Sequence, residues 1–461
     1  MAFFDTSLAD EDQQLLEKAL TAGYGTDSSA FENGRALIPE DCEQETLNIL
    51  DMSREDCKVM ASLKTEKVRS TVHEKNLRED EGDFRHITTE EGGDSEETDQ
   101  QINRKTFEMK YIQTKRGITR QMIESETFEG ALASEKISGI NTVLKASEYQ
   151  CFHGDSRVVP TEFDGFEAQI HRAKKAHQNI LDLRGKSIGS YGEKLFDDIA
   201  LMVFRKGGSL EKAYFPPVLA KDIKSLFEDR IRFDVGDERA SFKRILDYPT
   251  ATGETIRFSG DGAGADKFYY AKGEVFAEGN ASKRPSMPAS VSAVPVADSA
   301  NSKFADGDAG DYTYTVHAVN AAGYSEGKPI DTPVTVAKGA GVKLTIKAGS
   351  GNRTTGYIIC RSAKNGKIVM EMVRIPASED GDTEYTDLNK DLPGTASMIF
   401  LTENKIQPVV KFGQLMPVST IPLGKVRAKD EFIVATYGGL MVYAPKFCGL
   451  AENISYNGGL Y

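Results

Sequence analysis

The chain has 461 residues, of which 39% are hydrophobic and 28% charged, so it can form two or three globular domains with real cores. Its net charge of −13 argues against a protein whose main task is to bind nucleic acid, because such proteins carry a basic surface. The opening MAFFDTSLADEDQQ has no secretory-signal pattern, and no apolar run is long enough to span a membrane.

The first hundred residues contain little apolar periodicity. Short helices are predicted at Asp10–Ala19 and Asp41–Leu50. The stretch Glu79–Asp99 holds ten acidic residues and a single basic one, Arg85. Taken alone, this composition is typical of a disordered acidic loop.

The segments on either side of the acidic stretch favour a different interpretation. Lys64–Asn76 and Lys105–Ile118 both alternate β-compatible residues with charged ones, and neither has an adequate core-facing stripe. We therefore predict a long two-stranded arm whose tip is the acidic stretch. A two-stranded arm is only marginally stable in water, so it needs a partner surface.

A long helix is predicted at Glu129–Phe152, ended by Gly154. Its apolar residues recur at helical spacing and predict one buried stripe, formed by Ala133, Ile137, Ile140, Leu144 and Cys151. Three shorter helices follow, at Phe163–Ala176, at Glu193–Lys206 and after Pro216-Pro217.

Strands are predicted before and after a region of different composition. Glu254–Phe258 and Lys267–Tyr270 precede it, and two apolar β runs around Gly438-Gly439, Phe432–Tyr437 and Leu440–Ala444, follow it. The body is therefore predicted to be α+β, with its last strands beyond an insertion.

The insertion is bounded by a Pro- and Ser-rich linker at Glu278–Ala300 and a return near Leu392–Asn404. Between them, strands alternate with turns and there is almost no helix signal. The most legible strand lies in Asp311–Gly327, DYTYTVHAVNAAGYSEG. This pattern predicts a β-sandwich of about a hundred residues.

A search for catalytic or ligand-binding motifs gives no site. GDGAGA at Gly260–Ala265 leads into KFYY and not into a helix, so a loop is favoured over a nucleotide site. The Asp306, Asp308 and Asp311 group is favoured as a turn over a calcium site, because no bidentate Glu follows at the required position.

Histidine and cysteine positions also favour structural roles. His171 and His177 are six apart and make a poor metal pair, and Cys151 beside His153 lies on the predicted buried stripe. The cysteines are few and scattered, which predicts reduced thiols in a cytoplasm; they are Cys42, Cys57, Cys151, Cys360 and Cys448. We predict no catalytic, cofactor-binding or metal-binding residues, no cofactor and no enzymatic activity.

The order of these elements resembles the major capsid proteins of tailed bacteriophages, the HK-ninety-seven type. Glu162–Ile170 (EFDGFEAQI) and Phe432–Lys446 (FIVATYGGLMVYAPK) are similar to segments of capsid proteins from large contractile-tailed phages. The insertion resembles an immunoglobulin or fibronectin type III module with a changed strand order.

The resemblance implies an α+β capsid fold divided into five regions. These are an N-terminal arm at 1–60, an extended β-arm at 61–120, a body at 121–281 with a spine helix at 129–153, an inserted immunoglobulin-like domain at 282–404, and C-terminal body strands at 405–461.

The resemblance further implies a self-assembling shell of hexamers and pentamers that encloses packaged double-stranded DNA. The shell would form in the host cytoplasm and become part of the virion, with the module exposed outside. Decoration or minor capsid proteins, a portal and a scaffold are implied partners; a specific nucleic-acid site and a membrane are not. The alternatives are a tail sheath or baseplate component, or a secreted carbohydrate-binding protein or enzyme.

Overall fold

The structure is a computed structural model that describes residues 57–80, 88–94, 99–124, 130–227, 231–234, 241–244, 247–258, 263–273, 279–297, 299–379, 381–402, 408–424 and 428–461. The predicted helices at Asp10–Ala19 and Asp41–Leu50, Cys42, and residues 81–87 and 95–98 of the acidic stretch lie outside the described residues.

Seven α-helices are described. They are α1 Lys58–Ser62, α2 Arg120–Glu124, α3 Ala131–His153, α4 Phe166–His171, α5 Ile188–Tyr191, α6 Lys194–Phe204 and α7 Ala220–Leu226. Short 3-10 turns lie at Lys175–His177, Pro217–Leu219, Asp306–Asp308 and Pro445–Phe447.

The described strands fall into three stretches of the chain. The first stretch contains β1 Thr65–Lys67, β2 Val72–Asp80, β3 Gln101–Glu108, β4 Lys110–Thr119, β5 Ile180–Asp182, β6 Lys212–Phe215, β7 Ile231–Asp234, β8 Ser241–Arg244, β9 Asp247–Pro249, β10 Thr255–Arg257 and β11 Gly264–Ala265. The second contains β12 Ser290–Val296, β13 Gly310–Tyr312, β14 Tyr314–Asn320, β15 Gly323–Tyr324, β16 Lys328–Pro329, β17 Val334–Val336, β18 Gly341–Lys347, β19 Gly356–Ser362, β20 Val369–Pro376 and β21 Thr383–Asp387. The third contains β22 Ala396–Leu401, β23 Val410–Pro422, β24 Lys429–Val442 and β25 Gly449–Ile454.

Two sheets and the long helix α3 build the body. A four-stranded sheet has the order β1-β23-β24-β4, and a seven-stranded sheet has the order β5-β25-β22-β6-β10-β9, with β11 also paired to β6. Helix α3 packs on β4 and β24 of the first sheet. The contact is close, because a Cβ added at Gly139 would lie 2.8 Å from Cγ2 of Val434. The α+β prediction is confirmed.

The predicted buried stripe of the long helix is wrong in most of its members. Ile137 is 59% exposed, and Ile140 and Leu144 are only half-buried. The buried ridge is shifted by one residue from Ile140 and Leu144 of the predicted stripe. Its residues are Gly139, Val143, Ser147 and Cys151, at a constant spacing of four. Small residues on this ridge let the helix approach the sheet, and a search for large apolar residues cannot find such a face.

The Gly438-Gly439 pair does not separate two strands. Both glycines lie inside the single strand β24. A Cβ at Gly438 would lie 2.5 Å from the carbonyl oxygen of Gly413, and one at Gly439 would lie 2.8 Å from that of Glu108. The glycines therefore serve close backbone approach within the sheet, and not a turn. The predicted strand at Lys267–Tyr270 is a turn, in which the Asp266 carboxylate accepts a hydrogen bond from the Phe268 amide at 2.8 Å.

Among the strands that the structure describes, those between 290 and 387 pair only with one another. They form a three-stranded sheet, β12-β18-β21, a larger sheet around β15-β14-β19-β20, and the pair β13-β17. Strand β22, within the stretch that the sequence assigns to the insertion, pairs instead with β6 and β25 of the body. The two ends of the insertion meet, because the Lys272 amide donates to the Thr395 carbonyl at 3.0 Å.

Candidate assembly surfaces

In the region predicted as an arm, β2 and β3 form an antiparallel pair from Val72↔Glu108 to Asp80↔Gln101, with a register shift between Arg78 and Asp80. It is shorter than predicted, because the second half of Lys105–Ile118 is strand β4, paired to β24 in the body sheet. The chain passes from arm to body at Met109, whose amide donates to the Thr71 carbonyl.

The described part of the arm packs on the body at its base, and Leu77, partway along β2, packs against the same cluster of side chains. Phe107 and Met109 lie against Met441 and Tyr443 of the body, and the Phe107 and Tyr443 rings meet edge to face with centroids 5.4 Å apart. This contact fixes the base of the hairpin to the body.

The outer face of the arm is exposed and partly apolar. Val72 is 47% exposed and Ile102 is 55% exposed. The polar neighbours on this face form an ordinary surface ion pair, in which Arg104 contacts Glu74 at 3.2 Å. Val72 and Ile102 lie near opposite ends of the β2–β3 pairing, so this face is a candidate contact surface and not one continuous apolar patch.

Two helices also present large apolar side chains to solvent. Met122 and Ile123 of α2 and Ile137 of α3 are exposed, and these two helices are in contact. On α6, Leu201 and Phe204 are exposed three residues apart, on one face. These patches are candidate contacts between subunits.

The segment that enters the body at residue 57 is held by two buried carboxyl groups. Glu148 of α3 accepts from the amides of Val59 at 2.6 Å and Met60 at 2.9 Å, and Asp266 accepts from that of Lys58 at 3.3 Å. Burial and the neighbouring Asp266 raise the pKa of Glu148 well above its ordinary value, and burial also raises the pKa of Asp266. The pair therefore retains a proton at pH values where exposed carboxyls are ionised.

The insertion contacts the body through a mixed interface. Its apolar part joins Val158 and Val159 of the body to Val319, Ile358 and Cys360 of the insertion. Its polar part includes Arg374, which donates to the Tyr149 hydroxyl on α3 at 2.8 Å, and Arg184, which donates to the Lys303 carbonyl at 2.7 Å.

The insertion also has an internal core and a buried ion pair. Tyr314, Val316, Leu344 and Ile359 are among the side chains that fill the core. Arg361, with no exposed surface, donates to Asp387 at 2.6 Å. Because both side chains are removed from water, each charge compensates the lost hydration of the other.

The residues weighed as catalytic or ligating candidates have structural surroundings. Cys151 is fully buried, its thiol lies 3.9 Å from the Met60 sulfur, and burial raises its pKa well above the ordinary value. His153 accepts a hydrogen bond from the Tyr270 amide at 3.1 Å. His171 pairs with Glu452, and Gln178 donates to the His171 carbonyl at 2.6 Å.

The predicted turn at Asp306–Asp311 contains the 3-10 turn Asp306–Asp308, and each of its aspartates has a partner within the insertion. Asp306 pairs with Lys338 at 2.8 Å, and Asp311 accepts from the Thr335 hydroxyl at 2.6 Å. Asp308 accepts from the Ala305 amide at 3.1 Å. In the described part of the chain, no group of three or more His, Cys, Asp or Glu side chains is placed to hold a metal ion. None of the helices described there is long and apolar enough to cross a membrane.

Comparison with known proteins returns phage capsid proteins along nearly the whole chain. The provisionally named major capsid protein of Enterococcus phage phiEF24C is 26% identical over 463 residues, covering 96% of this chain and 95% of that protein. The major capsid protein of Staphylococcus phage K is 23% identical over 476 residues, covering 97% and 96%. The chain is a homologue of phage major capsid proteins. No family model matches it.

Solved structures to which this capsid homologue is similar include the capsid of a native GTA particle, at 9% identity and a TM-score of 0.45, covering 94% of this chain and 100% of that one. The protein of Mycobacterium phage Adephagia is 10% identical with a TM-score of 0.45, covering 93% and 98%. The sequence relationship confirms the resemblance to phage major capsid proteins.

Sequence reasoning missed the buried carboxyls and the buried ion pair of this capsid homologue. Glu148 follows Ser147 on the buried side of α3, and a charged residue within a helix reads as solvent-facing. Arg361 ends the apolar run GYIICRS, and only that uninterrupted run signals that it is buried.

Proposed function

We propose that this protein is the subunit of the icosahedral head shell of a tailed phage, and that it self-assembles into hexamers and pentamers around packaged double-stranded DNA. The observation that carries the proposal is the whole-length homology to phage major capsid proteins, with 96% of this chain and 95% of one relative aligned. An alignment that covers nearly the whole of both chains supports a shared overall architecture.

The arm supports a role in assembly. Its base is fixed to the body by Phe107 and Tyr443, while Val72 beside this base and Ile102 near the far end of the β2–β3 pairing are exposed. In the proposed shell, this ribbon lies across a neighbouring subunit, which buries its apolar residues. Stable protein interfaces bury about 1,600 Å² in total, and an extended ribbon supplies such an area without a large globular face.

We propose a structural and not a catalytic role. The described cysteines are buried, and burial raises the pKa of the Cys448 thiol to about 12, which is unsuited to a nucleophile. Assembly in the host cytoplasm and a final place in the virion are part of the same proposal, as are contacts with a portal, a scaffold and minor capsid proteins.

The insertion is proposed to be an immunoglobulin-like module, exposed on the outside of the shell. Support comes from its separate core and from the contact between Lys272 and Thr395, which closes the body at the point of insertion. We take the module to end before β22, because that strand completes a body sheet. Its contacts at Val158 and Val159 suggest that it is held in one orientation on the body.

Electron microscopy of the purified protein after expression in bacteria tests the proposal. Closed shells or capsomers are expected. Tubes would favour a tail-sheath role, and dispersed monomers at high protein concentration would contradict self-assembly. A second sample, with residues 274–391 replaced by a short Gly/Ser linker and Val158→Ser and Val159→Ser added, should form shells that lack one outer protrusion per subunit. Missing density on the inside would contradict the outward module.

A further inference from the structure

The insertion meets the body at a second place besides the apolar contact described above. Here the Arg184 side chain of the body donates to the Lys303 carbonyl at 2.7 Å and to the Asn389 carbonyl at 3.1 Å. The Lys303 ammonium group in turn pairs with Asp182 of β5 at 2.6 Å. These contacts form a polar joint between the body and the insertion.

Asn453 of β25 belongs to the same joint. It is buried and has a φ of 55°, a left-handed backbone conformation that Asn adopts more readily than most residues. Its side chain donates to Asp182 at 2.7 Å and to the Lys390 carbonyl at 2.9 Å, and it accepts from the Leu392 amide at 2.9 Å. One body side chain thus holds the segment through which the chain returns from the insertion.

Residues 456–461 lead from this joint back to the insertion. Tyr456 is buried in the core of the body. A turn follows, in which the Gly459 amide donates to the Tyr456 carbonyl at 3.1 Å and Gly458 has a φ of 104°. The turn reverses the chain, and a positive φ of this kind is the reason for a glycine there.

Leu460 and Tyr461 lie between the body and the insertion. A Cβ at Gly394 would lie 2.5 Å from Sδ of Met370 in β20 and 3.3 Å from Cγ of Leu460, so both side chains pack on the bare backbone there. A Cβ at Gly185 would lie 3.2 Å from Cδ1 of Tyr461. The Tyr461 ring therefore covers the body turn that carries Arg184.

The Tyr461 hydroxyl group reaches the buried cation of the insertion. Arg361 lies 3.4 Å from this hydroxyl, and it donates to the Asn389 side chain at 2.7 Å. The Arg361 guanidinium also lies over the rings of Phe304 and Tyr312, at 5.5 and 5.1 Å from their centroids. A residue outside the insertion thus contributes to the surroundings of its buried ion pair.

Strand β19 is contacted from outside the insertion on both of its faces. Ile358 and Cys360 on one face pack with Val158 of the body. Arg361 lies on the other face, which looks onto the internal core, and it meets Tyr461 there. Domains joined by one small contact usually move relative to each other, whereas two contacts on opposite faces of one strand oppose rotation.

We propose that residues 456–461 act as a strap that fixes the orientation of the insertion on the body, with Tyr461 as the anchoring side chain. Without the strap, the insertion keeps its internal core but gains freedom to move about the apolar contact. The proposal concerns a single subunit, and it stands or falls apart from the shell function. In the proposed shell, the strap sets the direction in which each insertion projects.

The test measures how closely the two sides of the polar joint stay together in the unassembled full chain. A zero-length carbodiimide cross-linker should join Lys303 to Asp182 across the joint, with the product identified by mass spectrometry. Lys411 and Glu66, 2.8 Å apart within the body, provide an internal standard for the same reaction. Hydrogen exchange of residues 388–394 is measured on the same proteins.

The strap variants are Tyr461→Ala alone and Tyr461→Ala with Leu460→Ala. Tyr461 is 41% exposed, so its replacement alone should leave the body folded, and the internal standard checks this. Asn457→Ala, on the exposed turn of the same segment, is the matched control.

We expect the strap variants to lose the cross-link between Lys303 and Asp182 relative to the internal standard. The amides of residues 388–394 should exchange at least about tenfold faster, while the control behaves as wild type. Unchanged cross-linking or unchanged exchange at the joint would overturn the proposal, as would an equal loss in Asn457→Ala. Faster exchange throughout β18 of the insertion or β24 of the body would also overturn it, because the segment would then belong to one of the two cores.

Discussion

The arm and the insertion are both β structures that leave the same body, but they are stabilised in different ways. The insertion has a core of its own and the buried pair of Arg361 and Asp387. The described arm has two strands, and it reaches a core of the body through Phe107 at its base and through Leu77 on β2. A β excursion with its own core can fold wherever it is attached, whereas a two-stranded ribbon needs a further surface. The arm, and not the insertion, is therefore expected to depend on neighbouring subunits.

The largest effect is expected from a change in the core of the body. Val143 is 1% exposed on the ridge of α3 that faces the sheet, so Val143→Asp buries an unpaired charge. We expect little soluble folded protein, measured as the yield of monomer and shells. Ile137→Asp is the matched control on the exposed side of the same helix and should leave the monomer folded. Equal yields from the two variants would contradict the assignment of the buried face.

The insertion should respond almost as strongly to a single buried change. Arg361→Met leaves Asp387 buried without its cation, and removal of one partner of such a pair costs about 3–5 kcal/mol. Hydrogen exchange of strands β14 and β19 should accelerate while the body strands stay protected. The double variant Arg361→Met with Asp387→Leu should recover much of the loss. Acceleration throughout the body would show that the insertion does not have a separate core.

The buried carboxyls predict a pH effect on the segment that leads to residues 1–56. The pKa of Glu148 is raised in the folded protein, so the folded state holds its proton more tightly than the unfolded state does. The free energy of unfolding should therefore fall as pH rises above the ordinary value of 4.5, until the raised pKa is passed. Glu148→Gln should flatten this fall in denaturation curves recorded across the pH range. An unchanged slope would contradict the shared proton.

The smallest effect is expected on the arm. Glu74 and Arg104 are both exposed, and exposed pairs contribute about 0–1 kcal/mol. Glu74→Gln should leave the denaturation midpoint of the unassembled protein within error of wild type. A shift as large as that of Arg361→Met would show that the arm belongs to the cooperative core of the monomer.

The sequence was sufficient where the signal was local. Helix α3 lies within two residues of its predicted start, and the strand in DYTYTVHAVN is present as β13 and β14. The sequence was insufficient where the role of a residue depends on a contact with a distant part of the chain. Gly438 and Gly439 read as a turn because the neighbouring backbone they approach is not visible in the sequence. The buried face of α3 was misread because Gly139 and Ser147 carry little hydrophobic signal.

The candidate surfaces were foreseen more in kind than in detail. The arm and its acidic tip could be predicted from alternation and charge alone. The cluster of Lys and Arg side chains between the arm and the body could not, because its members are spread over positions 75, 78, 104, 105, 172, 174, 411 and 446. Only the fold brings these side chains together.

Limited proteolysis of the arm tip tests the central claim most directly. The claim is that the arm gains its stability from a neighbouring subunit. Unassembled protein should be cut between Glu79 and Asp99, while shells treated with the same protease remain intact there, with cleavage sites read by mass spectrometry. Equal cutting in both states, at matched protein concentration, would contradict the claim.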